Sequence, residues 1–158
     1  MVPSKQDFLE YITAYKDLIK VVKNLSPKQL DFKISLTEWS IHEVIVHIAD
    51  TEMIFCERIR RIIAEENPTL TPFNQEQWAN NMFYNKQDYK LALNWFKLQR
   101  ESTFALLQLL TKKEWERKAM KDGKEVTLFD IFNIAKKHIQ THLAQIEGIK
   151  NTKEYNKI

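Results

Sequence analysis

One cysteine, two glycines and four prolines are all that this 158-residue chain holds of the residues that staple, turn or break a backbone. The lone Cys56 excludes an internal disulfide framework and fits a reducing compartment, and it reads most simply as a small apolar residue of a helix. So little glycine and proline excludes the hairpin chemistry of an all-β chain and points to helices. No apolar run approaches the length of a membrane span, and Met1-Val2-Pro3-Ser4-Lys5 lacks the apolar stretch of a signal peptide. A cytoplasmic protein without a membrane partner is expected. Charge of one sign is missing too, since 24 basic and 21 acidic residues interleave to a net +3. Doublets such as Lys112-Lys113 and Lys136-Lys137 therefore read as solvated faces, and nucleic acid is not an expected partner. What is present, 44% hydrophobic residues with 11% aromatics, suffices for the core of one domain.

Four times a capping side chain is followed three residues later by an acid and then by helical periodicity: Ser4/Asp7, Ser40/Glu43, Asn85/Asp88 and Thr127/Asp130. The first side chain accepts from orphan N–H groups, and the acid sits well against the helix dipole. The first helix is expected to reach about Asn24, with Phe8, Ile12, Tyr15, Ile19 and Val22 inward. The second runs to about Glu66 on Val44, Ile48, Phe55, Ile59 and Ile62. The third runs to about Leu110 on Tyr89, Leu93, Phe96, Thr103, Leu107 and Leu110. The fourth covers Leu128 to about Lys150 and buries Ile131, Ile134, Ala135 and Ile146. This predicts an all-α, up-and-down four-helix bundle over residues 1–150. Short helical turns are expected in the connections at Ser26-Pro27, Asn74 and Thr111/Glu114, with a polar, frayed tail over 151–158.

Only four histidines occur, and three of them fall on apolar faces. His138 and His142 are four apart, in register with Ile131, Ala135 and Ile146, so both point inward from one side of the fourth helix. His47 lies in register with Val44, Thr51 and Phe55 on the second. Buried imidazoles need partners. Internal hydrogen bonds to each are one answer; a shared divalent metal answers all three at once and is the reading that the spacing favours. Three imidazoles leave a coordination position open, as catalytic rather than structural sites do, and zinc, nickel, cobalt and iron all suit such donors. His42 cannot join, because five residues turn it about 140° from His47; it reads as a surface or helix-entry residue. Glu-x-x-His pairs for a di-iron site are absent, so a mononuclear site is expected.

The order of these residues resembles the DinB-like superfamily, also called the DinB/YfiT-like metalloenzymes. The likeness rests on Glu38-Trp39-Ser40, on His47-Ile48-Ala49-Asp50-Thr51-Glu52 and on Arg100. It continues through Asp122-Gly123-Lys124-Glu125-Val126-Thr127-Leu128 and the stretch from His138 to Ile146. The resemblance implies a four-helix bundle whose three histidines, here His47, His138 and His142, hold a divalent metal. It further implies a metal-dependent hydrolase or a transferase using a low-molecular-weight thiol, acting on a small-molecule substrate. A non-catalytic metal-binding or regulatory bundle is the alternative.

Other candidates follow from position. Asp50, about a turn after His47, is a candidate to orient an imidazole or take a proton, or else is a solvent-facing acid. Arg100, on the apolar stripe of the third helix, needs an anion, either from a substrate or from Asp50 or Glu52. Tyr15 is placed at a similar depth by counting from the helix ends. Trp39, Trp78 and Tyr84 are expected either to wall a pocket mouth or to cap the core, and exposed aromatic connections leave room for a homodimer.

Overall fold

A computed structural model describes residues 1–158. In chain order its elements are α1 (Lys5–Val22), α2 (Pro27–Asp31), α3 (Ile41–Ala64), β1 (Thr69–Leu70), α4 (Gln75–Asn81), α5 (Tyr89–Leu107), α6 (Lys112–Trp115), β2 (Lys118–Lys121), β3 (Lys124–Thr127) and α7 (Leu128–Lys150). Short 3₁₀ turns lie at Tyr84–Lys86 and Tyr155–Lys157. The expected caps start three of the long helices, where Ser4, Ser40 and Thr127 close capping boxes with Asp7, Glu43 and Asp130. The fourth differs: Asp88 itself caps α5 by accepting from the Lys90 and Leu91 amides, and Asn85 lies in the preceding 3₁₀ turn.

The four-helix bundle is present, and its helix order refines the up-and-down expectation. Each of α1 and α3 packs against both α5 and α7, so α1 and α3 sit across a diagonal. Directions follow from contacts. His42 meets Gln87 and Arg60 meets Thr103, which makes α3 and α5 parallel neighbours. Asp7 pairs with Lys136 and Lys150 reaches the Val21 carbonyl, which makes α1 and α7 parallel as well. Parallel neighbours need a return crossover, and 19 residues of α5 span about 28 Å at 1.5 Å each. The long connection from α3 to α5, holding β1, α4 and the 3₁₀ turn, supplies it.

The central helix is α3, buried nearly all round, as a helix apolar on several faces must be. One apolar cluster gathers Leu18, Ile45, Ile48, Phe96 and Ile146; a second gathers Ile59, Ile62, Trp115, Leu128 and Phe132 at the other end. The same stretch of α3 also carries His47, Thr51 and Glu52 into the interior.

Two stripes shift from expectation. In α1 the buried line is Tyr11, Ala14, Leu18 and Val22, while Ile19 is exposed and Phe8, Ile12 and Tyr15 are half-buried on its flank. In α7 Ile134 faces solvent, and Phe132 and Ile139 are buried instead. The tail is not frayed: Tyr155 is buried against Phe32, and its amide bonds to the Thr152 hydroxyl. A small sheet was also not anticipated. Its β1 pairs parallel with β2, which turns antiparallel into β3 through Asp122-Gly123. Both turn residues have positive φ, +50° and +74°, the pattern of a type I′ hairpin.

Candidate metal centre

Helix periodicity sets the site. His138 and His142 stand one turn apart on α7, and α3 passes antiparallel with His47 facing them. The ring centroids lie 4.4 Å apart for His138–His142, 4.8 Å for His47–His142 and 5.3 Å for His47–His138. One nitrogen from each falls within 4.8 Å of the others, and no carboxylate or thiolate joins the cluster. Two imidazole nitrogens on one tetrahedral zinc would stand about 3.3 Å apart; the Nε2 atoms of His138 and His142 are 3.0 Å apart.

Proton placement follows from the neighbours. Gln145 Oε1 lies 2.7 Å from His142 Nδ1, so Nδ1–H donates and Nε2 keeps its lone pair. Without a metal, that lone pair accepts from His138 Nε2–H. Moving the His138 proton to Nδ1 frees a second lone pair at the same point. His47 is fully buried, with Thr51 Oγ1 at 3.3 and 3.4 Å from its two ring nitrogens and the Trp39 ring tilted against it at 4.6 Å between centroids. Burial, then His142, depresses the His47 pKa to about 3. Burial, followed by His142, His47 and Arg100, takes His138 down to about 2, and burial lowers His142. All three are thus neutral at pH 7, the form that can donate a lone pair to a cation. The donor set fits a borderline divalent metal.

A cavity of about 310 Å³ opens on His142, walled by Thr37, Glu38, Trp39, Gln75, Glu76 and Gln145. It carries carboxylates and amides but no basic side chain. Among the expected aromatic walls, Trp39 takes this place. Trp78 pairs with Phe73, and Tyr84 is buried beneath Trp39.

Arg100 sits at the depth of His138, where it contributes to the depressed pKa, but it lines no cavity. Its guanidinium pairs with Glu52 at 2.9 Å, donates to the carbonyls of Tyr11 and Ala135 at 2.9 Å each, and lies 4.0 Å from the centre of the Tyr11 ring. Its anion is therefore internal. Tyr15 turns toward α5, with Lys97 over its ring, and Tyr11 takes the interior position instead, donating to Glu52 at 2.8 Å. Asp50 is 4% exposed, so it is not solvent-facing, and it makes no hydrogen bond to any histidine. His42 bridges Asp31 and the Gln87 carbonyl, a latch at the helix entry rather than a free surface residue. Gln145, absent from the sequence expectations, stands three residues after His142, where an i,i+3 reading can find it. Buried Cys56, its thiol pushed up to about 11 by burial, is unsuited to nucleophilic work.

The family model of the DinB superfamily matches residues 10–146. The chain belongs to the DinB superfamily. A protein of Oceanobacillus iheyensis named "Putative metal-dependent hydrolase" is 28% identical over 152 residues, covering 92% of this DinB-superfamily chain and 87% of the relative. A Bacillus cereus protein of the same name is 35% identical over 63 residues, 40% of this chain and 36% of that one. Among solved structures, YfiT from Bacillus subtilis, described as a probable metal-dependent hydrolase with an unusual four-helix bundle topology, superposes with a TM-score of 0.87 at 21% identity. The match covers 94% of this chain and 88% of YfiT. A mycothiol-dependent maleylpyruvate isomerase shares the fold at a TM-score of 0.71 and 11% identity, over 92% of this chain and 61% of the isomerase.

Proposed function

We propose that His47, His138 and His142 hold one divalent metal and that the protein is a metal-dependent hydrolase of a small molecule, working in the cytoplasm. The observation that carries this reading is the convergence of three neutral imidazoles, His47 buried and His138 and His142 half-buried, on one point beside an open cavity. His142 spends Nδ1 on Gln145 and turns Nε2 to His138, so the hydrogen bonds that the chain supplies leave ring nitrogens of α7 facing one another. A divalent ion on three nitrogens supplies Lewis acidity and lowers the pKa of a bound water or thiol. The chain's own residues do the rest. Gln145 fixes the His142 tautomer, Trp39 shields one side of His47 from water, and Glu38 and Glu76 at the mouth are the carboxylates within reach of an entering substrate. Asp50 is not placed to serve as the base. The lack of a basic side chain at the mouth favours hydrolysis over transfer from an anionic thiol, whose acidic tail would meet Glu38 and Glu76.

Elemental analysis of untagged protein is expected to give one zinc, nickel, cobalt or iron per chain, lost in His138→Ala. Activity on ester or amide substrates is expected to be lost with it. Metal-loaded protein active in thiol transfer but not in hydrolysis would overturn the hydrolase reading, and substoichiometric metal that added ions fail to raise would overturn the site.

A further inference from the structure

Between the outer faces of the parallel neighbours α3 and α5 runs an open groove of about 550 Å³. Met53 of α3 and Trp95 and Leu98 of α5 wall it, with Cys56 and Gln99 lying deeper. Trp95 is 40% and Leu98 60% exposed, so this apolar surface is left to water. The volume falls in the range of small-molecule sites. Because the two helices are parallel, Met53 and Trp95 stand at one end, and Arg60 and Ser102 at the other. Seven residues of α3 separate Met53 from Arg60, a rise of about 10 Å.

Apolar walls alone do not name an occupant, but Arg60 does. No acid of the chain pairs with it: Glu57, one turn earlier, goes to Arg61, which Glu65 also holds. Arg60 Nη1 donates to the Cys56 carbonyl and the Thr103 hydroxyl at 3.1 Å each, and Nη2 donates to the Ser102 hydroxyl at 3.3 Å. Every one of these acceptors is neutral, so the charge stays uncompensated. The three bonds fix the guanidinium plane against Cys56 and Ser102, both of which line the groove. Nε–H and the second Nη2–H remain, side by side on one edge of that plane. Two parallel N–H donors match the two oxygens of a carboxylate.

We propose that this groove binds a monocarboxylate on an unbranched alkyl chain of roughly eight carbons, the length that spans it. The carboxylate sits on the open edge of Arg60, and the chain runs past Leu98 to Trp95 and Met53. The site does not depend on the metal reading, because none of the three histidines lines it.

The test titrates sodium octanoate at pH 7 into the full chain labelled for indole N–H resonances, with n-octanol as the uncharged match and butanoate as the short one. A saturable shift of the Trp95 indole at millimolar octanoate or below is expected, with octanol binding about tenfold more weakly. Butanoate, too short to reach Trp95 from Arg60, is expected to leave that resonance in place. Arg60→Gln is expected to weaken octanoate binding about tenfold or more, the equivalent of losing one charge-assisted contact. Leu98→Ser, at an exposed position, is expected to weaken it several-fold, so the question stays answerable if the Arg60 variant does not fold. Absence of a saturable shift overturns the proposal, and so does equal binding of octanol or unchanged affinity in both variants. A dimer in light scattering that Leu98→Ser dissociates and octanoate does not would give the groove to a second copy of the chain, and overturns it too.

Discussion

Two polar layers cross the interior of this bundle, separated by little more than a turn of α3. In one, Glu52 meets Arg100 and Tyr11, and Arg100 also reaches two backbone carbonyls. The two charges there pair with each other, although Arg100 Nε–H and Glu52 Oε2 are left without a hydrogen bond of their own. In the other, His47, His138 and His142 face one another with like lone pairs, and the chain brings no acid to them. The difference separates two roles: a buried layer of paired charges holds the fold, whereas one made of a single donor type is, on the function proposed above, completed from outside. Arg100 connects the two, because it pins the carbonyl of Ala135, one turn before His138 on α7, and its charge adds, after burial and the other two histidines, to the depression of the His138 pKa.

The sharpest way to break that comparison is to unbalance the closed layer. Arg100→Leu leaves Glu52 buried without its countercharge, and an expected loss of about 3–5 kcal/mol in urea denaturation follows. Combining it with Glu52→Leu is expected to recover most of that loss, since an apolar pair of similar volume replaces a buried ion pair at little net cost. A double variant as unstable as the single one would show that the layer's hydrogen bonds to backbone, rather than its charges, hold the helices.

The open layer should respond oppositely. His138→Ala is expected to abolish metal binding in calorimetric titration while changing metal-free stability far less than Arg100→Leu does. The metal-free protein should also be acid-sensitive through these groups. His47 at about 3 and His138 at about 2 titrate below their ordinary 6.5. The unfolded chain therefore takes up protons near pH 6.5 that the folded one refuses. Their contribution to stability is complete above that pH and declines as pH falls toward 3. A melting-temperature series over that window should flatten in His138→Ala; an unaltered slope would assign the acid sensitivity to other groups.

A smaller effect is expected one shell out. Gln145→Leu removes the acceptor that holds the His142 Nδ1 proton, so the ring loses its fixed tautomer, and metal affinity should fall about 10–100-fold with the fold intact. Unchanged affinity would mean that packing against His47 alone orients the ring.

Much of this was legible because α3 and α7 carry long, strictly periodic apolar faces, and a histidine in register with such a face has only one way to point. The residues misread sit where that logic weakens. On α1, wet on both flanks, Tyr11 and Tyr15 compete for the interior, and only the packing of α5 and α7 decides for Tyr11. Before α5, Asn85 and Asp88 both qualify as caps, and the 3₁₀ turn gives the place to the later one. Asp50 lies on a helix buried on nearly every side, so no polar face existed to which an acid could be assigned. Tyr155 docks through one aromatic contact with Phe32, which a polar eight-residue tail does not advertise.

The small sheet makes the same point with the mildest expected consequence. Here β2 has a lysine at each end and β3 one at its start, and both bury few side chains, so no alternation marks them, and the dipeptide Asp122-Gly123 is their one strong sign. Gly123 sits at φ +74° with open space around its Cα, so a methyl group there meets no neighbour, and the cost of Gly123→Ala is purely conformational. About 1 kcal/mol is expected, read as a lower melting temperature with metal affinity unchanged, since the hairpin touches neither polar layer. A fall in metal affinity as well would tie the register of β3 to the placement of α7, whose first residue follows β3 directly, and would extend the open layer's control to that end of the bundle.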